Sequence, residues 1–251
     1  MNFIEKVAIV TGGASGIGKA TVVKLISLGA KVAIVDINYE QALQVKNELE
    51  QMGGHAAAIK TDITDFNQAK EMAKKVKNLF GKINVLINNA GWDKIVPFMD
   101  MEPTLLNKLI DINLKGAIYC TRAVLEYMIE QGEGGKIVNV ASDAGRVGST
   151  GESVYAAAKG GVLAFTKSIA REMARYNILV NCTCPVPTNT PLFNDVETSM
   201  PKLIEAVKRA IPLKRIAKPE EQANAIVWLA SDEASFVTGQ VLSVNGGMNM
   251  C

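Results

Sequence analysis

The sequence is poor in histidine and cysteine, and both scarcities exclude kinds of site. It contains one histidine, His55, and four cysteines. A Ser-His-Asp hydrolase would depend on His55, which follows two glycines and is expected in a solvated surface turn. A zinc site needs more histidines or paired CxxC motifs. We therefore predict no metal site and reduced, structural cysteines.

Long apolar runs and an excess of charge are also absent. No apolar run approaches the roughly 20 residues of a membrane-spanning helix. The 27 basic and 25 acidic residues give a formal net charge of +2, which indicates neither a nucleic-acid partner nor a membrane partner. The apolar stretch from Val7 to Val10 follows two charged residues and leads into glycines. It predicts a strand and not a signal peptide, so we expect a cytoplasmic protein.

Short apolar runs alternate with helix-period segments along all 251 residues. This alternation is typical of a parallel sheet covered on both faces. We predict an α/β fold, with residues 1–251 forming a single doubly wound Rossmann-type domain around a parallel seven-stranded sheet. The predicted strands are Lys6–Thr11, Lys31–Asp36, Ala56–Lys60, Asn84–Asn88, Lys136–Ala141, Ile178–Cys182 and Val241–Val244. The predicted helices are Gly16–Leu28, Glu40–Met52, Phe66–Phe80, Pro103–Asn113, Gly116–Gln131, Ser153–Arg175, Met200–Ala210 and Pro219–Ser231.

A glycine-rich loop after the first strand indicates a dinucleotide site. Residues 11–18 read TGGASGIG and open the first helix. Glycines permit a tight turn and a close approach of pyrophosphate to the unpaired N–H groups of the helix. Asp36 ends the second strand, where a carboxylate accepts from ribose hydroxyls and repels a 2′-phosphate. With no arginine in the loop or just after Asp36, the sequence favours NAD over NADP.

Four polar residues suit alcohol oxidation. Tyr155 and Lys159 are four apart and share one face of a helix. Ser142 ends the preceding strand, and Asn113 is expected in a break between two helices. Moving a hydride from an alcohol carbon requires removing the hydroxyl proton, and Tyr155 can take it if an ammonium and an oxidised nicotinamide lower its pKa of about 10. Ser142 would hold the substrate oxygen.

These motifs resemble the short-chain dehydrogenase/reductase family along the whole chain. Asn113, Ser142, Tyr155 and Lys159 match its catalytic set, and the resemblance implies that Asn113 holds a water linking Lys159 to solvent. The implied cofactor contacts are Gly12, Ser15, Gly16, Ile17, Gly18, Asp36, Asp62, Ile63, Asn89, Ala90, Gly91, Tyr155, Lys159, Pro185, Val186, Thr188 and Thr190. The resemblance also implies a homotetramer, with a different partner chain left open. Its implied interfaces are Gly116–Gln131, Ser153–Arg175 and Gly246–Cys251.

Specificity is expected in loops beyond the carboxyl ends of the strands. Residues 186–215 resemble the family's substrate lid. The family usually has Pro-Gly at its start, whereas this chain has Pro185-Val186, which predicts a stiffer turn. The candidate substrate contacts are Trp92, Arg146, Lys202, Lys208 and Arg209. Core packing, a structural ion pair or a solvated helix face are the alternative roles for these five.

Three functions are consistent with these sequence features. Several stretches are similar to a branch of the family that oxidises 3-hydroxyacyl-CoA thioesters with a bulky cyclic or aryl group during anaerobic aromatic degradation. A 3-oxoacyl-carrier-protein reductase is the alternative enzyme, although Asp36 counts against it because biosynthetic reductions usually use NADPH. A non-catalytic nucleotide-binding subunit is the third, and the complete catalytic set counts against it.

Overall fold

The computed structural model describes residues 1–191, 193 and 201–251, and it contains a single parallel sheet. The strands are β1 (Val7–Thr11), β2 (Lys31–Asp36), β3 (His55–Lys60), β4 (Val85–Asn88), β5 (Gly135–Val140), β6 (Ile178–Pro185) and β7 (Val241–Val244). Their order is β3-β2-β1-β4-β5-β6-β7, and every neighbouring pair is parallel. The predicted doubly wound fold is confirmed. The order changes direction between β1 and β4, and ligands bind at such switch points.

Helices cover both faces of this sheet. They are α1 (Gly16–Ser27), α2 (Tyr39–Gln51), α3 (Phe66–Phe80), α4 (Pro103–Ile110), α5 (Gly116–Gln131), α6 (Ala144–Val147), α7 (Ser153–Met173), α8 (Pro201–Ala210) and α9 (Pro219–Ala230). Short 3-10 turns lie at Phe98–Asp100, Ala174–Tyr176 and Asp232–Ala234. Over the described ranges, no helix has the length and apolar character needed to cross a membrane.

Side chains of β1 alternate between two separate cores. Val7 and Ile9 pack with residues of α3 and α5, whereas Ala8 and Val10 pack with residues of α1, α2 and α9. All four are fully buried. Burial on both faces explains why the strand is continuously apolar and does not alternate with polar residues.

The predicted break around Asn113 was wrong. Asp111–Lys115 forms a π-helical turn that joins α4 directly to α5. The Asn113 side chain donates to the Leu109 carbonyl oxygen over 2.9 Å, so it satisfies a backbone acceptor inside the widened turn. Such π-turns insert one residue into a helix and occur frequently at functional sites.

Several other boundaries differ from the prediction, most of them by one residue. The strand β6 continues to Pro185 and not only to Cys182, because residues 182–185 pair with β7. The helix α7 ends at Met173, where a 3-10 turn follows. His55 is exposed, as expected, but is the first residue of β3 and lies outside the turn. Of the predicted lid, residues 192 and 194–200 lie outside the described residues.

Candidate active site

The glycine loop is closed by contacts that only glycine permits. A Cβ at Gly18 would lie 2.0 Å from the Gly12 carbonyl oxygen, and Gly12 has a φ of 62°. From the end of β4, Asn89 Nδ2 donates to the carbonyl oxygens of Thr11 (3.0 Å) and Gly12 (3.1 Å). Ser15 is the N-cap of α1, yet its side chain makes no capping hydrogen bond. Asn89 therefore holds the loop in place. The backbone N–H groups at the N-terminus of α1 remain available to bind a phosphate group.

Asp36 lies against this loop at the carboxyl end of β2. Its Oδ2 accepts from the Ala14 N–H (3.1 Å) and its Oδ1 from the Asn38 N–H (3.0 Å). Each carboxylate oxygen has a second lone pair for another donor. The carboxylate is thus oriented beside the loop, as ribose recognition requires.

Asp62 and Ile63 follow β3 at the same edge of the sheet. Asp62 Oδ1 accepts from the N–H and the hydroxyl of Thr64 at 2.9 and 2.7 Å. Ile63 packs closely on Gly116, where a Cβ would lie 2.3 Å from Ile63 Cδ1. Ala90 N donates to the Thr11 hydroxyl over 3.1 Å. These contacts hold Asp62, Ile63 and Ala90 in place, and we expect the adenine and a ribose of the cofactor to bind against them.

Two of the four predicted catalytic residues, Asn113 and Lys159, lie against Gly91, and Tyr155 lies beside Lys159. The Lys159 ammonium donates to the Val140 carbonyl oxygen over 2.9 Å. A Cβ at Gly91 would lie 3.2 Å from Lys159 Nζ and 3.0 Å from Asn113 Oδ1. The Tyr155 ring centroid lies 5.7 Å from Lys159 Nζ, and Ser142 is near enough to the phenol to act on its pKa. The structure therefore brings the phenol, the hydroxyl, the ammonium and the amide together.

Burial dominates the acid–base properties of this group. Removal from water lowers the pKa of Lys159 to about 8. Burial also raises the pKa of Tyr155, and Ser142 opposes this only in part. The sequence predicts a lowered Tyr155 pKa when oxidised nicotinamide is bound beside Lys159; in the chain alone, burial of the phenol and the charges of Asp93 and Glu152 raise this pKa.

The start of the predicted lid lies beside the glycine loop. A Cβ at Gly16 would lie 3.1 Å from Thr190 Cγ2. The buried Thr188 donates to the Val186 carbonyl oxygen over 2.7 Å. Val186 is buried and has an ordinary negative φ, since the described non-glycine residues with positive φ lie at positions 5, 177 and 214. The valine after Pro185 therefore replaces the usual glycine without backbone strain.

Two of the five candidate substrate residues, Trp92 and Arg146, contact other residues of the chain. Trp92 is half-buried, and Lys108 Nζ lies 4.0 Å above its ring centroid. Arg146 donates to the carbonyl oxygens of Val241 and Cys251. These bonds tie α6 to β7 and to the C-terminus, so we assign Arg146 the structural role that the sequence left open.

The three lid cations lie on α8. Lys208 forms an ion pair with Glu205 at 3.2 Å, and Arg209 Nε donates to the Glu205 carbonyl oxygen, also at 3.2 Å. Lys202 is exposed. The contacts of Lys208 and Arg209 within the helix suit the alternative role of a solvated helix face, and a role in substrate binding stays a proposal.

Three acidic residues of the site were missed by the sequence reasoning. Asp143 is buried and accepts from Ser243 (2.8 Å), Asn249 (3.1 Å) and Asn245, which anchors the C-terminal segment to the loop after Ser142. Asp93 and Glu152 both act electrostatically on Tyr155 and raise its pKa. Each of the three lies within three positions of a predicted site residue, and that adjacency was the available signal.

The sequence is similar to those of known oxidoreductases over nearly its whole length. A family profile described as enoyl-(acyl carrier protein) reductase matches residues 12–249. A 3-oxoacyl-[acyl-carrier-protein] reductase of Thermotoga maritima is 42% identical over 248 residues, with 99% of both chains covered. The (2S)-[(R)-hydroxy(phenyl)methyl]succinyl-CoA dehydrogenase subunit BbsD of Thauera aromatica is 34% identical, covering 100% of this chain and 99% of that protein.

A solved structure shows the same architecture. The crystal structure of levodione reductase superimposes with a TM-score of 0.94 at 33% identity, and 98% of each chain is covered. The resemblance therefore extends over sequence and fold. The chain belongs to the short-chain dehydrogenase/reductase family of oxidoreductases, whose members generally bind a nicotinamide cofactor.

Proposed function

We propose that the protein oxidises a secondary alcohol to a ketone with NAD, and that its substrate is a cyclic or aryl 3-hydroxyacyl-CoA. The observation that carries the chemistry is the buried Lys159 ammonium, which donates to the Val140 carbonyl oxygen and lies 5.7 Å from the centroid of the Tyr155 ring. The observation that carries the cofactor is the orientation of Asp36 against the glycine loop.

The residues present fit a dinucleotide. Gly12 and Gly18 let the loop pack more tightly than any side chain would allow, and the N-terminus of α1 has no side-chain cap. Asp36 would hold the adenosine ribose, and Thr188 and Thr190 would lie near the carboxamide. When bound, oxidised nicotinamide supplies a hydride acceptor and a positive charge beside the phenol.

The chain's own residues would remove the hydroxyl proton. Ser142 holds the alcohol oxygen, and Tyr155 Oη accepts its proton as the alcohol carbon becomes a ketone. The Lys159 ammonium stabilises the phenolate. Asn113 holds the water that links Lys159 to solvent. Its side-chain Oδ1 accepts from the Trp92 N–H over 3.1 Å, and its Nδ2 donates to the Trp92 carbonyl oxygen over 2.7 Å.

The substrate class is supported by the dehydrogenase subunit of Thauera aromatica and by the stretches similar to that branch. We propose 2-hydroxycyclohexanecarboxyl-CoA or a 2-[hydroxy(phenyl)methyl]succinyl-CoA as substrate, in anaerobic aromatic degradation. Trp92 would form an apolar wall for the ring, while Lys202, Lys208 and Arg209 would meet the CoA phosphates. We also propose a homotetramer built on α5 and α7.

A second enzyme function is favoured by one specific observation, the 42% identity to the Thermotoga maritima reductase. Both activities interconvert a 3-hydroxyacyl and a 3-oxoacyl thioester, so cofactor and carrier distinguish them. Reduction of acetoacetyl-CoA and of acetoacetyl-carrier protein is measured with NADH and with NADPH. We expect NADH and the CoA thioester to be preferred. Preference for NADPH and the carrier protein would replace our proposal with the reductase, and no turnover despite NADH binding would support a non-catalytic subunit.

Replacing Asp36 by serine tests the cofactor assignment. We expect kcat/KM for NAD to fall about tenfold or more, because hydrogen bonds to a charged acceptor contribute about 1.5–3 kcal/mol. The kcat/KM for NADP should rise, because the charge that repels its 2′-phosphate is removed. Asp100→Ser is the control, since Asp100 is exposed and distant in sequence from the loop. A wild-type enzyme that already prefers NADP would refute the assignment.

A further inference from the structure

The short helix α6, which follows Ser142, lies between α7 and the C-terminal segment (residues 245–251). A Cβ at Gly145 would lie 2.7 Å from the Gly160 backbone N and 3.0 Å from Lys159 Cβ. Gly145 therefore allows α6 to contact the backbone of α7 at Lys159. Because α6 and Ser142 are consecutive in the chain, a shift of α6 would change the distance between Ser142 and Lys159.

The turn at Asp143 orients the Ser142 hydroxyl. The Ala144 N–H donates to Ser142 Oγ over 3.2 Å, and the Gly145 N–H donates to the Ser142 carbonyl oxygen over 3.0 Å. Since Ser142 Oγ accepts from the backbone, its own O–H can be donated to a substrate oxygen. Both bonds close around Asp143, which has a helical φ of −60° and ψ of −29°.

The buried Asp143 carboxylate joins this turn to β7 and to the C-terminal segment. Its Oδ1 accepts from the Ser243 hydroxyl over 2.8 Å. Its Oδ2 accepts from Asn249 Nδ2 over 3.1 Å and also from Asn245 Nδ2. Hydrogen bonds to an ionised acceptor are roughly twice as strong as neutral ones. The carboxylate therefore fixes the Ser142 turn relative to the last strand of the sheet.

The C-terminal segment holds its two asparagines in place for this contact. Asn245 Nδ2 donates to the Asn249 carbonyl oxygen over 2.8 Å, and Asn245 Oδ1 accepts from the Gly247 N–H over 3.0 Å. The Arg146 guanidinium attaches the same segment to α6 at a second point. Asn245 and Asn249 are thus fixed against Asp143 by bonds of their own.

We propose that Asp143 is a positioning residue, which uses Asn245 and Asn249 of the C-terminal segment to hold Ser142 in place beside Lys159. This role rests on the proposed function, because Ser142 affects kcat only if it holds the alcohol oxygen. The Asp143 carboxylate is directed toward the C-terminal segment and takes no proton from the substrate. Loss of this anchor therefore lowers kcat and leaves the affinity for the dinucleotide unchanged.

Asn249→Ala tests the anchor because it removes one donor to Asp143 and leaves Asp143 itself in place. We expect kcat for alcohol oxidation to fall about tenfold, since misplacing a positioned group by about 1 Å costs up to about 10²-fold. The Kd for NADH should change less than about threefold. Met250→Ala is the control, because Met250 is the next residue and its side chain is exposed. It should retain wild-type kcat.

Substitutions of Asp143 test the same role from the other side. Asp143→Ala removes the acceptor for all three donors and should lower kcat more than Asn249→Ala does. Asp143→Asn should recover part of this loss, because its amide oxygen still accepts from Asn245 and Asn249. Because Asn249→Ala removes a single bond, it tests the proposal even where Asp143→Ala does not fold.

A double-mutant cycle determines whether the anchor acts through Ser142. In a Ser142→Ala background, adding Asn249→Ala should lower kcat by less than about twofold, because the hydroxyl that the anchor positions is absent. A full tenfold loss in that background would mean that the effect of Asn249 is general and not directed to Ser142. That result, wild-type kcat in Asn249→Ala, or an equal loss in Met250→Ala would overturn the proposal.

A second readout needs no substrate. Hydrogen–deuterium exchange of residues 142–148 should become about tenfold faster in Asn249→Ala, because one bond to a charged acceptor no longer opposes local opening. Exchange of the loop at residues 11–18 should be unchanged. Wild-type exchange at residues 142–148 in Asn249→Ala would overturn the proposal whatever the activity. If wild type oxidises no alcohol but exchange responds as expected, the proposed function fails while the anchoring of the Ser142 turn stands.

Discussion

Replacing Tyr155 by phenylalanine should lower kcat about 10³-fold, because a positioned general acid or base contributes about 10²–10⁴-fold. The hydroxyl that is removed belongs to the ring whose centroid lies 5.7 Å from Lys159 Nζ, where the alcohol oxygen is expected. The ring remains, so the packing of α7 should be unchanged. Steady-state oxidation of the alcohol gives kcat, and fluorescence titration gives the affinity for NADH, which should change less than about threefold.

Tyr176→Phe is the matched control, since Tyr176 lies in the 3-10 turn after α7 and contacts Arg175. It should retain wild-type kcat. If Tyr155→Phe also retained kcat within about threefold, Tyr155 would not be the general base and the assignment of the site would fail.

Replacing Gly18 by alanine should abolish most dinucleotide binding. The added Cβ would lie 2.0 Å from the Gly12 carbonyl oxygen and 2.6 Å from Asn89 Nδ2, so the loop must open. Loss of charge-assisted hydrogen bonds worth about 1.5–3 kcal/mol corresponds to a rise in the Kd for NADH of roughly ten- to hundredfold. Titration of NADH fluorescence measures this change.

Val23→Ala serves as the control because Val23 is on the same helix and exposed to solvent. Circular dichroism verifies that Gly18→Ala is folded at the titration temperature. A folded Gly18→Ala variant with wild-type affinity for NADH would mean that the loop after β1 does not hold the dinucleotide.

The sheet and the candidate catalytic residues could be read from the sequence because their signals are local. The strand β1 is apolar at every position since both of its faces are buried, and the bounds of α3 and α5 follow from their periodicity. The spacing of Tyr155 and Lys159 places both on one helix face irrespective of distant contacts. These features depend on a few consecutive residues.

The remaining features depend on contacts between distant segments. The π-turn at Asn113 uses a side chain that also binds the backbone of Trp92. The internal role of Arg146 requires the C-terminus, 105 positions away, to lie beside α6. The loop after β4 is joined to the loop before α7 by the hydrogen bond from the Val96 N–H to the Gly151 carbonyl oxygen. No single stretch of sequence contains these pairings.

The most direct test of the account is NADH formation from NAD with 2-hydroxycyclohexanecarboxyl-CoA, run beside the corresponding free acid. The account predicts turnover of the thioester, little turnover of the acid, and loss of turnover in Tyr155→Phe. Absence of thioester oxidation with either nicotinamide cofactor, by enzyme that binds NADH, would contradict the proposed hydroxyacyl-CoA dehydrogenase.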